Sequence, residues 1–165
     1  MVSTHHHTLD SLILEPGAVQ HLDAIMRIEE SSFSAPWTRR MFEVELTDNP
    51  FARFLTAHIG CADQPSERSR NLVGYVCFWV VFEELRMMNL AVALHVRHRR
   101  IGRWLLQQAL TMGREQGARR ALLEVRVSNN PAVALYEHAG FSRSGVRTKY
   151  YTNPIEDAVL MELDL

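Results

Sequence analysis

Apolar residues change their spacing several times along this chain, and each change predicts an element. Leu12 to Leu14 form a short apolar run halted by Pro16-Gly17, which predicts an opening strand and a turn. Val19, Leu22, Met26 and Glu29 follow at helical spacing, with Ile25 and Ile28 widening the apolar face of a first helix. The helix cannot pass Pro36, which lacks an N–H and keeps Ala35 out of the helical region. Thr38 is placed to cap a second helix reaching Leu46, closed by the turn Asp48-Asn49-Pro50. Phe51–Ala62 reads as a strand and Asp63–Asn71 as a polar loop. Leu72–Phe82, rich in β-branched and aromatic residues, is a strand. A tight turn near Glu83 makes it a hairpin with Leu85–Leu94.

Ile101, Leu105, Ala109 and Met112 mark the buried face of a long helix ending near Gly117. Ala121–Val127 is a strand. A last helix opens with Asn130 as the expected N-cap and Pro131 as first residue, and runs through Leu135 and Tyr136 to Gly140. Phe141–Tyr151 and Ala158–Leu165 close the chain as strands, joined by a loop with Asn153 and Pro154. The order is β-α-α-β-β-β-α-β-α-β-β. It predicts one mixed α/β domain over residues 11–165, with residues 1–10 a disordered tail.

Composition narrows the functions without choosing one. The 165 residues are 47% hydrophobic and 22% charged, with net charge −1. That is long enough for a single core and too neutral for a dedicated nucleic-acid binder. No run of eighteen apolar residues predicts a membrane span. Cys61 and Cys77 match no metal spacing and read as reduced thiols in a cytoplasmic protein. His5-His6-His7 fit a polar tail better than a metal site.

Three segments carry candidate chemistry. Arg97-His98-Arg99-Arg100-Ile101-Gly102-Arg103 follows a strand and opens a helix, where free amides and the dipole favour anions. A polyphosphate suits it; a solvated basic turn and nucleic acid are the alternatives. In Leu122–Val127, alternation sets Leu123, Val125 and Val127 against Leu122, Glu124 and Arg126. Glu124 is either paired with Arg126, solvated, or a general base. Tyr136 is either a core tyrosine or a general acid facing the anion site.

The order of these segments is more informative than any one of them. Asn89-Leu90-Ala91-Val92, Arg97 to Gly102, Leu123-Glu124-Val125-Arg126, Ser128-Asn129, Ala134-Leu135-Tyr136-Glu137, Gly140-Phe141, Tyr150-Tyr151 and Glu156-Asp157-Ala158 come in one sequence. With Pro36-Trp37 and Glu84, this string resembles the RimI family, the ribosomal-protein alanine N-acetyltransferases of the GNAT superfamily. The resemblance covers roughly residues 20 to 161. It implies the acyl-CoA N-acyltransferase fold, a central mixed, mostly antiparallel sheet flanked by helices. It implies acetyl-CoA as cosubstrate, no metal, and a protein N-terminus, that of a ribosomal protein, as partner. Leu90, Ala91 and Val92 would line acetyl-CoA through their backbone. His98, Arg99, Arg100, Ile101, Gly102 and Arg103 would wrap the pyrophosphate, and Asn129 would touch the cofactor beyond the acetyl group. Glu124 would be the general base and Tyr136 the general acid. Pro36, Trp37, Glu84, Tyr150 and Tyr151 would meet the peptide.

Arg100 stands where the GNAT loop usually has glycine. A positive φ there would strain an arginine by about 1 kcal/mol or more. The expectation is that Arg100 is already helical and adds charge near phosphate. Rival functions are acetylation of a lysine side chain or small amine, a non-catalytic acyl-CoA-binding domain, and nucleic-acid binding by the arginine cluster.

Overall fold

The computed structural model describes residues 12–60 and 71–165. The expected tail, Cys61 and the loop from Asp63 up to residue 70 lie outside the described residues. Strand β1 (Leu12–Pro16) leads through a 3-10 turn to helices α1 (Leu22–Ser32) and α2 (Arg39–Thr47). Strands β2 (Ala52–Ile59), β3 (Leu72–Val81) and β4 (Glu84–Val92) follow, then α3 (Ile101–Glu115), β5 (Arg120–Arg126), α4 (Asn130–His138), β6 (Ser142–Thr152) and β7 (Ile155–Asp164). The seven strands form one sheet in the order β1-β2-β3-β4-β5-β7-β6. Only β4 and β5 run parallel, because α3 carries the chain back between them.

Alternation along β3 sorts the helices onto two faces. Gly74 faces α3, where an added Cβ would lie 3.0 Å from Leu105 Cδ1 and from the Ala91 carbonyl oxygen. Its neighbour Tyr75 points the other way, edge-on to Phe42 of α2 at 5.6 Å and stacked on Phe54 at 5.7 Å. The core therefore lies on both sides of β3 and β4. Local signals decide the helix ends. Thr38 Oγ1 accepts from the Met41 amide at 3.3 Å, as its position before α2 requires. Gly117 and Gly140 take positive φ of 92° and 100° just past α3 and α4. The cap of α4 is Asn129, not Asn130. Its Oδ1 accepts from the Ala132 amide at 3.3 Å, so Pro131 sits one residue deeper than expected.

Candidate active site

Strands β4 and β5 pair through only three residues each, Glu84–Arg120, Leu85–Ala121 and Arg86–Leu122. Beyond Arg86 they part. There β4 also bulges, since Cys77 faces Asn89 while Phe78 faces Met87, leaving Met88 as the extra residue. The gap opens a cleft of about 530 Å³. Six residues singled out by sequence line it together: Trp37, Leu90, Glu124, Asn129, Tyr136 and Tyr151.

Glu124 comes from β5, with its carboxylate 3.5 Å from the Arg147 guanidinium of β6. The pairing with Arg126, one of the alternatives for Glu124, does not occur among the described residues. Arg126 reaches Glu156 at 3.3 Å and donates to the Asn153 and Pro154 carbonyls at 3.0 Å each. It also lies 4.2 Å from the centroid of the Tyr151 ring. Glu156 in turn accepts from the Ser128 amide at 2.7 Å and its hydroxyl at 2.9 Å. These bonds from Ser128, then Arg126, hold the Glu156 carboxyl below the usual carboxylate range. The network fastens the β6–β7 turn to the end of β5. Across the cleft, Ser34 Oγ reaches the Asn153 carbonyl at 3.4 Å, so the α1–α2 and β6–β7 turns meet.

Tyr136 is buried on α4, edge-on to Phe141 at 5.7 Å. Among the described residues its hydroxyl has no hydrogen-bond partner. Burial, then the nearby Tyr151, pushes it up to about 12, so it carries its proton at neutral pH. Burial and Tyr150 push Tyr151 up to about 12 as well. Tyr150 is 47% exposed and packs its ring edge-on to Tyr151. Pro36 is exposed beside Trp37 and does not itself line the cleft.

The basic loop lies where the splayed strands lead. Ala91 is buried and Val92 half-buried; Leu90, Val92 and Leu135 surround Gly102 at 3.6–3.8 Å from where a Cβ would sit. Arg97 braces the loop by donating to the Val92 carbonyl at 3.0 Å and to Ser32 Oγ at 2.9 Å. His98, Arg99, Arg100 and Arg103 are exposed, while Ile101 is 1% exposed and anchors the helix start. Arg100 is not helical. It is the N-cap of α3 with φ 64° and ψ 9°, and His98 also has φ 62°. A left-handed cap directs the chain into α3 at the cost of local strain, so here conformation won over side-chain preference. The first amides of α3 have no intrahelical partner, and left-handed residues before them favour an amide nest. This donor set fits a pyrophosphate.

Glu84 lies apart from this site. It begins β4 at the far end of the sheet and pairs with Arg86 at 2.9 Å and Arg120 at 3.0 Å. Those hydrogen bonds lower its carboxyl, and it lines a separate open groove with Trp79 and Phe82. The strand pairing that closes β4 on β5 there keeps it from the cleft. Conversely, Glu29 of α1 lines the cleft and is 1% exposed, although sequence patterning placed it only on the apolar helix face. Burial pushes its carboxyl up, against the lowering bonds from Tyr75, Trp37 and Asn89. A carboxylate on an apolar stripe was the available signal.

A second polar group, Glu15, His21 and His58, has ligand-type atoms within 4.8 Å of one another. The Ala18 amide donates to His21 Nδ1 at 3.1 Å, which leaves the ring hydrogen on Nε2. The bond from Ala18 occupies the Nδ1 lone pair of His21. His58 Nε2 lies 2.9 Å from Thr56 Oγ1, whose hydroxyl donates to the Glu15 carbonyl at 3.1 Å.

The family model for the acetyltransferase (GNAT) family matches residues 22–141. The [ribosomal protein bS18]-alanine N-acetyltransferase of Escherichia coli (strain K12) is 30% identical over 146 residues, 87% of this chain and 91% of that protein. A Bacillus subtilis (strain 168) protein bearing the same designation provisionally is 37% identical over 143 residues, 87% of this chain and 89% of the relative. The crystal structure of the ribosomal-protein-S18-alanine N-acetyltransferase from Escherichia coli superposes with a TM-score of 0.78, at 26% identity over 93% of each chain.

Proposed function

This chain belongs to the acetyltransferase (GNAT) family, and we propose that it acetylates the N-terminal α-amine of a protein, with the N-terminal alanine of a small-subunit ribosomal protein as target. One observation carries the reading: Glu124 and the proton-bearing Tyr136 line a single cleft at the parting of β4 and β5. The relatives named for the alanine of bS18 support the choice of substrate. We further infer a cytoplasmic protein that acts without nucleic acid or membrane. Among the described residues no helix is long and apolar enough to cross one.

Acetyl-CoA, the proposed cosubstrate, supplies a thioester carbonyl open to attack by an amine. The loop from His98 to Arg103 would hold its anionic groups with the first amides of α3, which have no intrahelical partner. Past Arg86, the amides on the β5 side of β4 have no strand partner among the described residues, so the Leu90–Val92 segment offers donors to negative charge on the carbonyl oxygen. As the amine nitrogen bonds to the carbonyl carbon and the carbon–sulfur bond breaks, Glu124 would take the proton the amine loses and Tyr136 would give its own to the departing sulfur. Pro36, Trp37, Tyr150 and Tyr151 border the path for the peptide. An α-amine, with pKa near 7.7–8.0, is partly neutral at pH 7, whereas a lysine near 10.4 is not. That favours the N-terminal amine for a modest base. No metal is invoked.

The test is mass spectrometry after incubation with acetyl-CoA and two peptides. One has a free N-terminal alanine and no lysine; the other has a blocked N-terminus and an internal lysine. Acetylation of the first alone is expected. Acetylation of the second alone would move the activity to lysine, and of neither would leave a small amine or a non-catalytic role.

A further inference from the structure

Glu29 is a carboxylate that the transfer reaction does not use, yet it is 1% exposed and lines the same cleft as Glu124 and Tyr136. Burying such a group is costly unless donors replace water, and an apolar side chain would pack α1 on the sheet without that cost. Three donor groups from three places meet it. The Trp37 backbone amide donates to Oε1 at 2.7 Å. Asn89 Nδ2 donates to both oxygens, at 3.2 and 3.1 Å. The Tyr75 hydroxyl donates to Oε2.

What these donors belong to gives the carboxylate its use. Trp37 ends the α1–α2 turn, which borders the cleft and touches the β6–β7 turn through Ser34 and Asn153. Asn89 directly follows the bulge of β4 and precedes Leu90, the first of the strand residues assigned to the acetyl group. Tyr75 is fixed between Phe42 and Phe54 in the core. Glu29 therefore joins the peptide side of the cleft to the acetyl side and pins both to the buried aromatic core around Tyr75.

We propose that Glu29 is a positioning residue that ties the α1–α2 turn to β4 and so sets where the peptide's first residue meets the acetyl-binding strand. This rests on the N-terminal acetyltransferase reading above. Glu29→Gln keeps the size but turns an acceptor into a donor, which opposes the donors around it. The expected result is a KM for the alanine peptide raised by on the order of ten-fold or more, since small misplacements of a substrate are costly. The Kd for acetyl-CoA stays within about two-fold, because the loop at α3 is untouched. Asn89→Ala breaks the same tie from the other side and is expected to show the same split. The double variant is then little worse than either alone.

Hydrogen exchange of the Trp37 amide supplies a readout that needs no substrate. It is expected to speed up in both variants while the amide of Val76 in β3 stays protected. Folded variants with unchanged peptide KM and unchanged Trp37 exchange would overturn the proposal. So would a loss of active protein that tracks a lower Tm with KM unmoved, which is the mark of a merely structural role. Wild-type protein silent on the alanine peptide would sink the substrate reading alone, and the exchange measurement would still decide the tie.

Discussion

Glu124 of β5 lies 3.5 Å from the guanidinium of Arg147, carried by β6 two strand positions away across β7. Arg147 is half-exposed, and a pair of that kind contributes about 0–1 kcal/mol. Removing the arginine is therefore expected to change kcat/KM for the peptide by less than about five-fold. Glu124→Gln removes the proton acceptor itself, and a loss of roughly 10²–10⁴ in kcat is expected. Glu84→Gln, outside the cleft, stays within about two-fold in the same assay. A large loss in Glu84→Gln, or none in Glu124→Gln, would exchange their assignments.

Tyr136 keeps its proton because burial pushes it up to about 12. Tyr136→Phe is expected to lower kcat by about 10² or more while leaving the Kd for acetyl-CoA nearly unchanged. The wild-type kcat should show no alkaline loss from this group up to about pH 10, since a raised pKa keeps the acid form above neutrality. Stopped-flow rates across that pH range check both points. Full activity in the phenylalanine variant would remove Tyr136 from the mechanism.

Arg100 holds a left-handed conformation that glycine adopts without strain. Arg100→Gly is expected to stabilise the protein by about 1 kcal/mol, or ~2–4 °C in Tm for a chain of this length. If backbone amides carry phosphate binding, the acetyl-CoA Kd moves by only a few-fold. Thermal melts and calorimetric titration of one sample separate the two effects. A lower Tm would mean that Arg100 makes interactions that outweigh its strain.

His21 is 2% exposed, and its pKa is lowered by burial first and by His58 second, with Glu15 raising it. A histidine depressed in the fold takes up protons more readily when unfolded. Its effect is absent above the unfolded value near 6.5 and grows as stability lost on acidification below it. Stability measured by urea unfolding should therefore fall between pH 7 and pH 5. A non-titrating residue at His21 should flatten that slope, and an unchanged slope would assign the loss to other groups.

Much of this is legible in the sequence itself. Helical spacing in α1 and α3, the β-branched run of β3, Thr38 before α2 and glycine after α3 and α4 act over a few residues, so the element order followed from the sequence. Errors fell where two local solutions compete, as between Asn129 and Asn130 for the cap of α4. The motif residues Leu90, Glu124, Asn129 and Tyr136 were picked out together because their order along the chain resembled a family, and the structure places them in one cleft.

Partners across strands were a different matter. Nothing local says that Arg126 turns to Glu156 and leaves Glu124 to Arg147, because strand order and register across β5, β7 and β6 decide it. The same holds for Glu84, which the short pairing of β4 with β5 shuts away from the cleft, and for Arg100, whose backbone is set by how the chain must enter α3. It holds most for Glu29, which periodicity places on a buried face without naming the donors that meet it there. The sequence by itself determined the elements, their order and the chemical groups available, since these depend on neighbours along the chain. The tertiary structure alone decided which groups meet, since hydrogen bonds and ion pairs act over a few ångströms of space between residues as far apart as 29 and 89.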